Sequence, residues 1–381
     1  MEELKREGIV FDDIGPEYII ETYDPGLGFR GVLVIDNTNL GMAKGGIRMT
    51  GTVSTPEVFR LARAMSYKNA LAGLPFGGGK AGIMVDPKTI TPQKKKAIME
   101  SFAKSLRPLI PSQYIAGPDM NTTEKEMEIF ARAHGMWESA TGKPATYCST
   151  KGGKKRCGLP HELGSTGFGV TLAAEVAAKA RDIKMEGASV AIAGYGNVGV
   201  FAHKFLQGKG AKIIAVSDSS GTIYDRKGID YETLLAVKTK TGSISGYPGV
   251  KKLSRDVIYE LTCDILIPAA TPDVINEKNV GRVMAKIIVE GANIPMQEQF
   301  EQMLHKKDVL IIPDIIANAG GVISSYAEYK GYDAKKMFKI VEEKIVPNVN
   351  EIIAKSEGTV IPRQAALKIA RSRILAKAKS K

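Results

Sequence analysis

The sequence predicts an α/β protein of two domains with a cleft between them, the C-terminal one a Rossmann-type doubly wound parallel sheet. Three observations predict it. The chain has 381 residues, enough for two domains. In its second half short apolar runs alternate with helical patterns, as parallel strands joined by crossover helices do. Within that half, Gly194-Tyr195-Gly196-Asn197-Val198-Gly199 matches GxGxxG, follows a strand-like run and opens a helix.

The elements follow in order. Residues 29–35 (FRGVLVI) alternate and are rich in β-branched types, which argues for a strand. They run into residues 41–48 (GMAKGGIR), read as a glycine-rich turn carrying Lys44. From Thr55 the pattern is helical, with Pro56 in the first turn and Val58, Leu61, Ala62 and Met65 on one side. Lys68 lies at the end of that helix or shortly beyond. A second glycine-rich turn follows, Gly77-Gly78-Gly79-Lys80-Ala81-Gly82. Nothing adjacent is large enough to cover the Lys80 amine except a ligand or another part of the chain. A lysine desolvated near a second cation has its pKa pushed down and becomes usable as an amine.

A helix is expected over residues 92–106, with Ile98, Met99, Phe102 and Leu106 inward, then a short strand at 114–116. Residues 117–122 (GPDMNT) come next, and Thr123 and Glu126 have the spacing of a capping box. Asp119 therefore sits in a strand-to-helix turn, where ligand-binding groups collect in open α/β sheets. Residues 141–160 are loop-like, and the domain boundary is placed just after them. The expected division is 1–160, 161–331 and a pair of C-terminal helices over 332–381 that pack back towards the first domain.

The second domain opens with a helix near Ser165. A buried strand at 188–193 leads into the GxGxxG turn, a helix over 200–208 and a strand over 211–216 that ends at Asp218. Glycines there permit a tight turn and close approach of a pyrophosphate, which lies against amides at the helix N-terminus. The motif thus points to a dinucleotide. Asp218 is placed to take a ribose 2′-hydroxyl and favour NAD, but it follows Ser217, a second candidate for the strand tip. Arg226 and Lys227 are close enough in sequence to reach a 2′-phosphate. NAD and NADP both stay open. Further strands are expected at 263–268, 285–289 and 309–313, with Asn293 and Asn318 near their tips, suited to hydrogen-bond a carboxamide.

Composition narrows the classes. The net charge of +12, from 53 basic and 41 acidic residues, is spread along the chain without interleaved aromatics. That suits anionic small molecules better than nucleic acid. No apolar run is long enough to span a bilayer, and MEELKREGIVFDD lacks the apolar core of a secretion signal, so a cytoplasmic protein is expected. Three cysteines give no disulfide framework, and Cys148, Cys157 and His161 fit no usual zinc spacing, so no metal is expected.

Several motifs then occur in a fixed order: Lys44-Gly45-Gly46-Ile47-Arg48, Met65-Ser66-Tyr67-Lys68, Leu74-Pro75-Phe76-Gly77-Gly78-Gly79-Lys80, GPDMNT, GYGNVG, EGAN and NAGGVISSYAEY. From about Phe29 onward the chain resembles the glutamate, leucine, phenylalanine and valine dehydrogenase family, and its glutamate branch in particular. The resemblance implies reversible NAD(P)-dependent oxidative deamination of L-glutamate to 2-oxoglutarate and ammonium. It makes the first domain the substrate-binding and oligomerisation domain of a homo-oligomer, with a hexamer favoured. By the same resemblance Lys80 is the catalytic lysine and Asp119 the proton shuttle. Lys68 holds the α-carboxylate, and Lys44 and Ser325 hold the side-chain carboxylate. The cofactor set is Thr166, Gly194, Gly196, Asn197, Val198, Gly199, Asp218, Asn293 and Asn318.

Lys44 favours glutamate, because the relatives acting on apolar amino acids typically carry an apolar residue at that position. A buried ammonium beside a leucine side chain would be costly. Residues 23–40 nevertheless resemble the branched-chain and phenylalanine enzymes more, and the N-terminal helical extension of the glutamate enzymes is short or absent. Ala81 stands where glycine usually follows the catalytic lysine. The basic segment 147–160 has no counterpart and is read as a solvated loop, with a clamp for a cofactor phosphate as the alternative. A dehydrogenase for a neutral amino acid is the alternative. A non-catalytic sensor is disfavoured by Lys68, Lys80 and Asp119 occurring together.

Overall fold

The computed structural model describes residues 7–160, 163–356 and 358–378. The chain divides into two compact units, one of Met1–Leu163, Val322–Met337 and Lys368–Lys381, the other of Gly164–Gly321 and Phe338–Leu367.

The first unit is built on a five-stranded mixed sheet in the order β1-β2-β4-β3-β5. Its elements are β1 (Tyr18–Asp24), β2 (Phe29–Asn37), β3 (Ala43–Met49), α1 (Thr55–Leu71), β4 (Gly77–Ile83), α2 (Pro92–Ser105), β5 (Tyr114–Pro118) and α3 (Glu124–His134). Strand β2 alternates two apolar sets, and both are buried. Phe29, Leu33 and Ile35 share a core with Ile98, Met99 and Phe102 of α2, while Val32 and Val34 pack with Val58, Phe59 and Ala62 of α1. Helices on both faces explain why every residue of β4 is buried.

The two glycine-rich segments expected to be turns are instead the central strands β3 and β4. Glycine is a poor strand former in isolation, but here the packing requires it. A Cβ on Gly45 would fall 1.6 Å from the Gly79 carbonyl oxygen, and one on Gly78 would fall 2.0 Å from Ser66 Oγ of α1. The capping box at Thr123 and Glu126 is formed, and Gly135 closes α3 in the left-handed conformation at φ 71°.

The segment expected to be a solvated loop without a disulfide is a hairpin, β6 (Cys148–Lys151) and β7 (Lys154–Cys157), with Cys148 and Cys157 joined in a disulfide. The hairpin register sets the two cysteines directly opposite each other, a pairing that spacing alone did not reveal. Its basic residues are not simply solvated. Lys151 and Arg156 both reach Glu138, at 2.9 and 2.8 Å, and Arg156 lies over the Trp137 ring. His161 lies outside the described residues.

The second unit holds a seven-stranded sheet in the order β11-β10-β9-β8-β12-β13-β14. In chain order come α4 (Ser165–Ala180), β8 (Ser189–Ala193), α5 (Asn197–Gly208), β9 (Lys212–Asp218), β10 (Gly221–Tyr224), α6 (Tyr231–Thr241), β11 (Lys251–Leu253), β12 (Ile265–Pro268), β13 (Ile287–Val289), α7 (Glu298–His305), β14 (Leu310–Ile312) and α8 (Asp314–Ala317). Strands β8, β9, β12, β13 and β14 are parallel, and β10 and β11 add an antiparallel edge. The chain leaves β8 for β9 on one side and returns for β12 on the other. The strand order therefore reverses at β8, the place where doubly wound sheets bind ligands.

Helices α9 (Gly320–Tyr329), α10 (Ala334–Ala354) and α11 (Pro362–Ala378) complete the chain. Residues 332–381, expected as helices packing back towards the first domain, are divided between the two units. Most of α10 and the start of α11 belong to the second unit, where Phe338 meets Phe168 edge-on at 5.1 Å. From Lys368 onward α11 belongs to the first unit, where Arg373 donates to the carbonyl of Leu71 at 2.6 Å. Among the described residues no helix is long and apolar enough to cross a membrane.

Candidate active site

Strand register puts the chemistry of the first unit on one face of its sheet. Lys44 of β3 lies opposite Gly78 of β4, two residues before Lys80, so both lysines point to the face covered by α1. On β5, Gly117 lies opposite Gly46. Small residues there leave room for ammonium groups. The Lys44 Nζ occupies the space over Gly117, where an added Cβ would lie 2.5 Å from it, and donates to the Ala116 carbonyl at 2.9 Å. Lys44 is 2% exposed. Burial pulls its pKa down to about 7, Lys80 and Lys143 push the same way, and the charge of Glu328 opposes them.

Lys80 is ion-paired with Asp119. Asp119 occupies the turn after β5, as expected, and the turn is tied down on both sides. Its own N–H donates to Thr122 Oγ1 at 2.9 Å, and that hydroxyl donates to the Ile47 carbonyl of β3 at 2.7 Å. Burial works to raise the Asp119 pKa, but Lys80 and Arg48, the latter 3.3 Å away, outweigh it and leave the carboxyl below its usual range. An ionised carboxylate beside a lysine amine is an acid–base pair joined by a direct hydrogen bond.

Lys68 lies in the last turn of α1, the helix packed over this face, and is half-buried. Ser325 is buried in α9, which is fixed by Phe76 packing edge-on against Tyr326 and Tyr329 at 6.0 and 5.6 Å. Two participants were not singled out from sequence. Glu328, three residues after Ser325, is fully buried, pairs with Lys143 at 2.6 Å, and accepts the N–H groups of Gly142 and Leu159, each at 2.8 Å. Lys143 in turn sits over the Trp137 ring at 3.8 Å. The signal was available: the one carboxylate inside the otherwise uncharged run GVISSYAEY has to find a cation if it is buried.

In the second unit the expected cofactor residues gather at the carboxyl ends of the parallel strands. Gly194 follows β8 at φ 110°, and an added Cβ would lie 2.7 Å from that of Ala270, beyond the end of β12. Gly199 lets α5 approach the turn, since a Cβ would lie 1.9 Å from the Gly194 carbonyl oxygen. At Gly196, which precedes α5, an added Cβ would meet nothing within 4 Å. Close protein packing explains the outer glycines, whereas the middle one faces open space beside the helix amides of Asn197 and Val198. This cradle fits a pyrophosphate. Val198 also approaches Gly291, whose carbonyl accepts from Asn318 Nδ2 at 3.3 Å, and the same amide donates to Asn293 Oδ1 at 2.9 Å. Thr166, in the first turn of α4, lies beside Gly320.

A cavity of about 410 Å³ opens at this edge, running from Gly194 and Gly196 past Ala270 to the end of β9. Asp218 lines it but is held by Ser220, Ile244 and Lys238. Arg226 and Lys227 do not line it. They follow β10, which runs antiparallel to β9 with Gly221 opposite Asp218 and Tyr224 opposite Ala215. The turn thus returns to the far end of β9, about 10 Å from Asp218 at ~3.3 Å per residue. Sequence proximity misled here because the next strand reverses direction.

Comparison with known proteins agrees with this arrangement. The family described as glutamate/leucine/phenylalanine/valine dehydrogenase matches residues 158–380, and its dimerisation domain matches residues 18–135. A glutamate dehydrogenase of Aeropyrum pernix is 40% identical over 345 residues, 87% of this chain and 80% of that protein. An NADP-specific glutamate dehydrogenase of Saccharolobus shibatae is 40% identical over 300 residues, covering 77% and 69%. Among solved structures, a hetero-hexameric glutamate dehydrogenase of Thermus thermophilus in a leucine-bound form superposes with a TM-score of 0.82 at 27% identity, over 96% of this chain and 90% of that one. The lysine-bearing sheet and the GxGxxG sheet each fall within a matched region, and the chain belongs to the glutamate/leucine/phenylalanine/valine dehydrogenase family.

Proposed function

We propose that this chain is an NAD(P)-dependent glutamate dehydrogenase, oxidising L-glutamate to 2-oxoglutarate and ammonium and running the reverse amination. The observation that carries the choice of glutamate is the buried Lys44 ammonium on the same sheet face as the Lys80–Asp119 pair. A cation desolvated at that depth calls for an anionic partner, and a diacid supplies one where an aliphatic side chain does not.

In this reading Lys68 and Lys44 take the two carboxylates, with Ser325 donating its hydroxyl to the distal one. A bound nicotinamide supplies the hydride acceptor for the α-carbon. The residues of the chain then manage protons. Lys80, after giving its proton to Asp119, takes one from the water that adds to the substrate iminium carbon. Asp119 delivers a proton to the departing nitrogen, and the ammonia takes the carbinol hydroxyl proton as the carbonyl forms, so that one water is consumed and one ammonium leaves. Asn318, joined to Asn293, faces the carboxamide, and the amides of Asn197 and Val198 hold the pyrophosphate. The molecule works as a homo-oligomer, with a hexamer favoured.

A panel of glutamate, leucine, phenylalanine and valine assayed with each cofactor tests the reading. Glutamate is expected to give the highest kcat/KM, and Lys44→Leu to lower it at least tenfold while apolar substrates gain. Unchanged glutamate preference in that variant would mean another group reads the side chain.

A further inference from the structure

Glu328 and Lys143 are completely buried in the first unit and take no part in the proton transfers. Glu328 is the penultimate residue of α9, where the helix dipole disfavours a negative charge, so its ionised form depends on other partners. Its Oε2 accepts the N–H groups of Gly142 and Leu159, each at 2.8 Å, and its Oε1 accepts the Lys143 ammonium at 2.6 Å. Lys143 is joined to the Lys44 position through the backbone. Its ammonium also donates to the Ala140 carbonyl, and Ala140 bridges Ala116 of β5 in parallel. The Ala116 carbonyl accepts both the Thr141 N–H at 3.0 Å and the Lys44 ammonium at 2.9 Å. Among the described residues that uncharged carbonyl is the one hydrogen-bond partner of Lys44.

The charged groups around Lys44 leave Glu328 as its counter-charge. Lys80 comes from β4, and the Asp119 carboxylate after β5 is taken up by Lys80 and Arg48. Lys68 comes from α1. Tyr114 of β5 keeps its proton, since burial pushes its pKa up, and donates it to the Gly45 carbonyl at 2.8 Å. Tyr326 and Tyr329 of α9 pack on Phe76. Beyond Lys143, Glu138 is held by Lys151 and Arg156. One carboxylate thus serves two buried ammonium groups: Glu328 favours the charge on Lys44, and Lys143 disfavours it.

We propose that Glu328 is the positioning residue that keeps Lys44 charged for a diacid and that Lys143 competes for the same carboxylate, so that the pair sets the pH up to which glutamate binds tightly. The coupling rests on the reading of Lys44 as the group that holds the distal carboxylate, and its test has an arm that needs no turnover.

Steady-state glutamate oxidation from pH 6 to 9 gives KM and kcat, and calorimetry over the same range gives the dissociation constant of glutarate, a diacid with no α-amino group. In the unsubstituted protein both KM and that constant should rise as pH passes about 7. Glu328→Gln keeps the shape and loses the charge. It is expected to bring the rise on about one pH unit earlier, so that both constants are about tenfold higher at pH 8 and within about twofold at pH 6, with the loss in KM rather than in kcat. Lys143→Met should act in the opposite direction and lower both constants at pH 8 by about threefold, because Lys44 then has Glu328 to itself. Damage to packing alone would weaken binding at every pH in both variants. Unmoved limbs, or shifts of one sign in both variants, overturn the coupling, and where Glu328→Gln does not fold the sign of the Lys143→Met shift decides. Glutamate turnover with unmoved limbs overturns the coupling and leaves the reaction standing. Opposite shifts in glutarate binding without glutamate turnover support the coupling and overturn the assigned reaction.

Discussion

Lys44 is the residue on which the substrate assignment turns. Its amine sits near neutrality, at about 7, because burial and the neighbouring lysines Lys80 and Lys143 disfavour the charge more than Glu328 restores it. An incoming carboxylate reverses that balance, so binding a diacid takes up a proton at this position. Below pH 7 the free protein already holds the ammonium; above it the proton must be drawn from solution, and affinity declines. KM for glutamate is therefore expected to rise as pH climbs through about 7, and Lys44→Met should flatten that limb of the profile. A flat profile in the unsubstituted protein would contradict the assignment. Lys80 and Asp119 were legible as separate candidates, a lysine among glycines and an acid in a strand-to-helix turn. Their direct pairing was not, because it depends on β4 and β5 flanking β3, both parallel to it.

At the scale of elements, the sequence disclosed what local pattern controls and hid what partners control. The capping box of α3, the Pro-led helices α1 and α2 and the GxGxxG turn were readable because a few adjacent residues determine them. Strands β3 and β4 were misread because glycine marks turns in most settings. Only the closeness of α1 and of the neighbouring strands shows why side chains are excluded there. The hairpin β6–β7 escaped for a similar reason: its disulfide needs a register, and its bases are drawn to Glu138, whose pKa is lowered to about 2 by Lys151 and Arg156 against the effect of burial. Closing a loop of this size contributes about 2–3 kcal/mol to the closed state. Cys157→Ser should therefore speed tryptic cleavage after Lys151 or Lys154 without lowering glutamate turnover by more than about twofold. Equal cleavage rates would show that the Glu138 ion pairs alone hold the hairpin.

A second element-scale prediction concerns the ends of β13, α7, α8 and α11. There Arg363 meets Glu290, Glu301 and Asp314 at 2.6, 2.6 and 2.9 Å, three carboxyls around one guanidinium. Burial raises the pKa of Glu290 well above the usual range, and that of Glu301 as well, and one oxygen of each is buried without a donor. A proton shared by these carboxyls relieves the mismatch. Groups whose folded pKa is raised contribute stability that is full below their unfolded pKa and lost as pH rises through the folded values. Thermal stability should decline as pH rises from the ordinary carboxyl range through the raised values, and Glu301→Gln should make that decline shallower. A steeper decline in the variant would show that both carboxylates stay ionised. Arg363→Met should instead cost about 3–5 kcal/mol, because it strands the acids.

In the proposed reading each unit of the molecule carries one half of the chemistry, proton-handling groups on a mixed sheet and dinucleotide-binding groups at the switch of a parallel one, and the motifs for the two halves fall in order along the chain. The route of the C-terminal helices was not legible in the sequence: a helix of constant pattern such as α11 gives no local sign that its first turns belong to one unit and the rest to the other. The central claim is that Lys80, paired to Asp119, works on protons and takes no part in holding the dinucleotide. Lys80→Ala, measured for glutamate turnover and for the dissociation constant of the reduced cofactor, tests it most directly. The account predicts turnover lower by about 10³-fold or more, in the range expected for losing a general base, with the cofactor constant changed by no more than about twofold. Turnover within about tenfold of the unsubstituted protein would contradict it.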